Sequence, residues 1–198
     1  MPENLTNPCI IPHECDLFLM SSHNIWTANH SLNSFAKRGR RNVDGWGIGY
    51  YRNGTANILK SEIAATNNGD ITREFNIAMN AISSETILGH LRLTSRGGTT
   101  IDNNHPFKLN FLNYDWLMIH NGTGQRINNL IPYQDQLLVN STNDSARAFE
   151  FLRREIISYY CSDSKKSLIE AVRYAYSKLL EEDPAGSYNM ILSNGYIN

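Results

Sequence analysis

The apolar and polar positions of this chain alternate in blocks that resolve into strands and helices. Leu17-Phe18-Leu19-Met20 reads as a buried strand beginning at Cys15. Ser31 to Lys37 is a short helix ended by Gly39. Gly45-Trp46-Gly47-Ile48-Gly49-Tyr50-Tyr51 is a second strand, Asn53-Gly54 a type I′ hairpin turn, and Ala56 to Lys60 the return. Asp70 is placed to cap a helix whose apolar face is Ile71, Phe75, Ala78, Met79 and Ile82. Thr86 to Leu91 is a strand followed by a glycine-rich turn, and Trp116 to Ile119 is a strand running into His120-Asn121-Gly122. A long polar loop is expected from Thr123 to Asn143. Two amphipathic helices follow, carrying Phe149, Leu152, Ile156 and Tyr160, then Leu168, Val172, Ala175 and Leu179. Pro184-Ala185-Gly186 breaks the second. Tyr188 to Tyr196 is a strand entering a turn with no return strand, so the domain is expected to be incomplete at its C-terminus or completed by another chain.

Composition narrows the class. The 198 residues suit one domain with a real core. Hydrophobic residues at 41% and aromatics at 10% exclude a disordered chain. A net charge of -1 offers no basic face, so no nucleic-acid partner is expected. No apolar run reaches the ~18 residues of a membrane span, and residues 1–14 lack the features of a signal peptide. They read instead as a leader before a domain spanning 15–198. The three cysteines, Cys9, Cys15 and Cys161, form no CxxC, which argues against a disulfide framework. Cys9, His13, Cys15 and His23 fit no standard metal spacing, so no metal and no cofactor are expected, and the cytoplasm is the expected compartment.

Four polar clusters carry candidate chemistry. Cys15 is either a small buried hydrophobe or a thiol nucleophile. No histidine is obviously paired with it. Its own α-amino group, with an intrinsic pKa of ~7.7–8.0, could serve as base only if Cys15 were the first residue. Arg92 is either a solvated strand-end cation or a bidentate clamp for a carboxylate, with Thr94 and Ser95 adding hydroxyls and Gly97 allowing close backbone approach. Asn121-Gly122 is either a plain turn or a pair of oxyanion donors. Asp144 is a helix cap, an anion for a substrate ammonium, or both. Gly45, Gly47 and Gly49 weaken a strand, so close packing or ligand approach must compensate. Thiol, cation, oxyanion donors and anion together describe a site for acyl transfer at the amide of glutamine.

These residues carry a resemblance. Cys15-Asp16-Leu17-Phe18, Arg38-Gly39, Asn42 to Tyr51, His90-Leu91-Arg92, Asn104-His105-Pro106-Phe107, His120-Asn121-Gly122 and Asp144 to Phe149 together resemble a class II glutamine amidotransferase domain. That is an N-terminal-nucleophile hydrolase, and the likeness is to its stand-alone branch. Thr94-Ser95-Arg96-Gly97 stands where the family usually shows Ala-Thr-x-Gly, and Ser95 keeps the hydroxyl. The resemblance implies an α+β fold, a four-layer αββα sandwich with two antiparallel sheets. It implies that Cys15 becomes the mature N-terminus and forms a glutamyl thioester. It makes Asn121 and Gly122 the oxyanion hole and gives Arg92 and Asp144 the carboxylate and ammonium of glutamine. The expected partners are glutamine or a γ-glutamyl small molecule and an ammonia-accepting protein. The competing expectation is a non-catalytic scaffold that keeps the fold and an uncleaved leader.

Overall fold

A computed structural model describes residues 14–94, 100–131, 141 and 143–198. The chain runs β1 (Asp16–Trp26), α1 (Asn29–Arg38), β2 (Trp46–Arg52), β3 (Thr55–Ser61), β4 (Thr66–Asn67), β5 (Asp70–Ile71), α2 (Arg73–Ala81) and β6 (Ser84–Leu91). It continues through a 3-10 turn (Ile101–Asn103), β7 (Phe107–Phe111), β8 (Tyr114–Thr123), α3 (Ile127–Leu130), α4 (Asp144–Cys161), α5 (Leu168–Glu182) and β9 (Ser187–Ser193). One antiparallel sheet has the order β1-β6-β2-β3 and another the order β7-β8-β9. The fold is thus α+β with antiparallel sheets, as the sequence implies.

Among the described residues, three hydrophobic clusters hold it together. α1 and α2 cover the first sheet through Leu32, Phe35, Phe75 and Met79, packed on Trp46, Ile48, Ile87 and Leu91. α4 and α5 cover the second through Phe149, Leu152, Ile156, Ala175 and Leu179, packed on Trp116 and Met118. A smaller cluster of Tyr51, Ala56, Leu88, Leu117 and Ile119, joined by Leu17, Ile58 and Ile191, lies between the sheets. The strand period of two explains the division. In β8, Trp116 and Met118 face the helices while Leu117 and Ile119 face the other sheet.

Local chemistry sets most boundaries. Asn53 and Gly54 have φ of 52° and 76°, the two left-handed residues of a type I′ turn. Ser167 and Glu170 form a capping box at the start of α5, a motif that stabilises a helix by about 1 kcal/mol. The expected Asp70 cap is not formed. Asp70 lies in β5, paired with Asn67, and the N-cap of α2 is Thr72. The Thr72 hydroxyl instead donates to the carbonyls of Ala64 and Ala65. The expected loop after Thr123 contains α3, whose Ile127 is fully buried.

The glycines of β2 face the second sheet. A Cβ on Gly47 would lie 1.8 Å from the His105 carbonyl oxygen, and one on Gly49 would lie 2.8 Å from both Leu117 and Pro106. Their small size lets the 104–106 segment lie directly on β2. The alternating glycines therefore serve close packing, and that packing delivers Asn104 to the site.

Candidate active site

The site forms where the inter-sheet core changes from apolar to polar. Cys15 precedes β1 and shares the parity of Leu17. Arg92 follows β6 with the parity of Leu88 and His90, and Asn121 lies near the end of the β8 ladder with the parity of Ile119. The same alternation that builds the small core thus aims all three side chains into the gap beyond it. Cys15, Arg92, Asn121, Gly122 and Asp144 line one cavity of about 150 Å³, together with His90, His105 and His120. Ser95 and Gly97 lie outside the described residues, as does nearly all of the leader.

Each anchor is held by its own contacts. The thiol of Cys15 donates to the Leu93 carbonyl at 3.3 Å, and Sγ accepts from the Leu93 N–H at the same distance. Burial pushes this thiol up from its ordinary value, with the Leu93 amide and the nearby Arg92 guanidinium opposing. Arg92 is 3% exposed, and its Nη1 donates to Asn104 Oδ1 at 2.9 Å. Asn104 in turn donates to the Ser61 carbonyl. The backbone after β6 is stitched to the start of β2. The Arg92 N–H donates to the Gly45 carbonyl, and the Thr94 N–H to Asp44 Oδ2 at 2.7 Å. Gly45 has φ +112°, and a Cβ there would lie 2.5 Å from Asn104 Nδ2. The Asp44-Gly45 pair thus positions the arginine from behind.

Asn121 and Gly122 are not a turn. They continue β8 and pair with Asn189 and Tyr188 of β9. A Cβ on Gly122 would meet the Ser187 carbonyl oxygen at 1.9 Å, so glycine is required there. Asp144 opens α4, but the N-cap is Asn143, whose Oδ1 accepts from the Ser145 N–H. Asp144 Oδ1 also accepts from the Ser145 N–H, at 2.9 Å, and its Oδ2 accepts from the Gly124 N–H at 2.7 Å, which turns the carboxylate toward the loop beside the cavity. Its position in the first turn of α4 is also favoured by the helix dipole.

Three buried histidines surround these anchors. The rings of His90 and His105 lie 4.2 Å apart, and the His120 N–H donates to His105 Nδ1. Burial pushes His90 down to about 3, reinforced by the charges of Arg92 and His120, and the nearby His120 backbone opposes this only weakly. Burial lowers His105 and His120 as well. In the unfolded chain these rings titrate near 6.5. Below that pH the unfolded state takes up protons that the folded state refuses. Stability is therefore full above about 6.5 and falls as the pH drops toward the folded-state values, by up to ~1.4 kcal/mol per pH unit per histidine. Thermal melts from pH 7.5 to 5 should show the Tm falling by on the order of 10 °C, and a flat profile would contradict the burial of neutral imidazoles.

The cavity gathers five residues that the sequence singles out, and residues that it does not single out support them. Asn104, Asn42 and the histidines appeared only inside matching motifs. Asn42 is fully buried, and its Nδ2 donates to the Glu14 and Leu91 carbonyls, directly beneath the Glu14–Cys15 peptide. Among the described residues no group of three or more His, Cys, Asp or Glu side chains is arranged to hold a metal ion. Within the same residues no helix is long and apolar enough to cross a membrane.

Known proteins give this geometry a context. The family model described as class II glutamine amidotransferases matches residues 14–197. A Haemophilus influenzae protein named, by inference, a glutamine amidotransferase is 28% identical over 157 residues, covering 77% of this chain and 49% of that protein. An Escherichia coli (strain K12) protein named in the same way is 25% identical over 191 residues, covering 91% of this chain and 70% of that protein. The chain thus spans about half the length of the first of these relatives and more of the second. Among solved structures, a Bacillus subtilis glutamine phosphoribosylpyrophosphate amidotransferase superposes with a TM-score of 0.60 at 14% identity, over 92% of this chain and 35% of that one. A Pseudomonas aeruginosa structure titled a predicted glutamine amidotransferase gives a TM-score of 0.53 at 22% identity, over 77% of this chain and 57% of that one. These two likenesses speak to the fold, and the family match speaks to descent. That match covers nearly the whole chain, and this chain belongs to the class II glutamine amidotransferase family.

Proposed function

We propose that the chain hydrolyses the side-chain amide of glutamine, or of a γ-glutamyl compound, through a thioester on Cys15. The observation that carries this reading is the convergence of Cys15, Arg92, Asn121, Gly122 and Asp144 on one cavity from four separate stretches of sequence. Arg92 takes the α-carboxylate and Asp144 the α-ammonium, which fixes the substrate by its amino-acid end. The Cys15 sulfur attacks the amide carbon. The Asn121 side-chain amide and the Gly122 N–H receive the oxyanion, and each such donor contributes about 3–4 kcal/mol to transition-state stabilisation. Ammonia leaves with a proton, the glutamyl group stays on sulfur, and water then releases glutamate and restores the thiol.

The base deserves a physical choice. A thiol raised by burial needs one. His90 and His105 are pushed so far down that they are poor proton acceptors near neutrality. The α-amino group of Cys15 has a suitable intrinsic pKa of ~7.7–8.0, provided residues 1–14 are removed as a propeptide. Cysteines without disulfides among the described residues fit a reducing cytoplasm. An ammonia-accepting partner protein is the natural consumer of the product.

Substrate capture tests the reading. Arg92→Lys replaces a bidentate fork with a point charge, and Asp144→Asn removes the counter-ion of the ammonium. Each should raise the KM for glutamine about 10- to 100-fold, with a smaller change in kcat. Steady-state ammonia release measures both. Unchanged KM in the two variants would mean that the substrate is not a free α-amino acid.

A further inference from the structure

We infer that His120 is a positioning residue that locks the oxyanion donors and the ammonium anchor into one fixed relation, an inference that rests on the function proposed above. His120 is 2% exposed and directly precedes Asn121-Gly122 in β8. The thioester chemistry makes no use of its ring. Yet both ring nitrogens are engaged, Nε2 with the Ser187 carbonyl at 3.0 Å and Nδ1 with Ser145 Oγ at 2.7 Å.

The partners decide the tautomer. A carbonyl only accepts, so Nε2 carries the hydrogen. In the neutral ring Nδ1 is then an acceptor, and the Ser145 hydroxyl donates to it. His120 thus ties β8 to β9 on one side and to the first turn of α4 on the other. Ser145 adjoins Asp144, the proposed ammonium anchor. Gly122, a proposed oxyanion donor, is packed into the same clamp, since a Cβ there would lie 2.7 Å from His120 Nε2 and 1.9 Å from Ser187 O. Tyr188 stacks on the imidazole at 5.4 Å and is itself anchored by its hydroxyl donating to Asp183. The clamp reaches the third anchor too. The His120 N–H donates to His105 Nδ1, and His105 follows Asn104, the acceptor for Arg92.

Two substitutions at the same residue separate the halves of the clamp. His120→Gln can retain a donor toward Ser187 while losing the acceptor for Ser145. His120→Asn can retain an acceptor near Ser145 but is too short to reach Ser187. On this inference His120→Gln and Ser145→Ala each raise the KM for glutamine about tenfold with kcat changed little. Combining them adds no more than about a further twofold, because both remove one bond. His120→Asn disturbs the strand that carries the oxyanion donors and lowers kcat about 100-fold. Melting curves run alongside. A merely structural role would lower the Tm of these variants while leaving kcat and KM near wild type. That result, or full additivity of His120→Gln with Ser145→Ala, would overturn the inference alone. Absence of glutamine hydrolysis in otherwise wild-type protein whose chain begins at Cys15 would overturn the parent reading and this inference with it.

Discussion

Replacing Cys15 with serine is expected to lower glutamine hydrolysis by about 10⁴-fold or more while leaving the fold intact. The hydroxyl is close in size to the thiol but is a far poorer nucleophile at neutral pH. Its oxygen can still exchange hydrogen bonds with the backbone of Leu93, which now partners the sulfur at 3.3 Å in both directions. The Tm should therefore move by only a few degrees, since 1 kcal/mol shifts the Tm of a chain this size by about 2–4 °C. A serine variant with wild-type turnover would remove Cys15 from the chemistry. A variant that fails to fold would show as a lost melting transition, and Cys15→Ala would then take its place.

The second large effect concerns residues 1–14. While they remain attached, the nitrogen of Cys15 is an amide with no lone pair available to accept a proton. The Glu14 carbonyl also accepts a hydrogen bond from Asn42 Nδ2 at 3.2 Å, which places the attached residue against the site wall. A protein with Met directly before Cys15, removed by the cell's aminopeptidase, is expected to hydrolyse glutamine without further processing. The full-length chain should be active only to the extent that the Glu14–Cys15 bond has been cut. The measurement is specific activity against the fraction of chains beginning at Cys15, read by intact mass. Hydrolysis by verified uncut protein at the rate of the truncated form would eliminate the α-amine as base. An inert protein whose N-terminus begins at Cys15 would favour the scaffold reading.

What the sequence made legible follows from the range of the interactions involved. The β2–β3 hairpin was readable because Asn53-Gly54 is a local signal. The two long helices were readable because their packing has a helical period. β7 was not assigned because its hairpin to β8 turns on Leu112 and Asn113, both at positive φ, and leucine carries no turn signal. The candidate anchors could be named because Cys15, Arg92 and Asn121 lie on or beside apolar strands and Asp144 opens an amphipathic helix. Their supports could not. Asn104 reaches Arg92 only because Gly45 and Gly47 clear a path, and His120 reaches Ser145 and Ser187 only after β8, α4 and β9 have met. Asp144 reads in the sequence as a cap, an anion for a substrate ammonium, or both, and the neighbouring Asn143 fills the cap position.

The proposed chemistry rests on Cys15 as the nucleophile of a glutamine site. A glutamine-like diazoketone, incubated with the protein and followed by peptide mass mapping, tests it most directly. One adduct per chain is expected, on Cys15, with labelling suppressed by excess glutamine and slowed in Arg92→Lys. Adducts on Cys9 or Cys161 with Cys15 unmodified, or labelling of Cys15 that glutamine does not suppress, would contradict it.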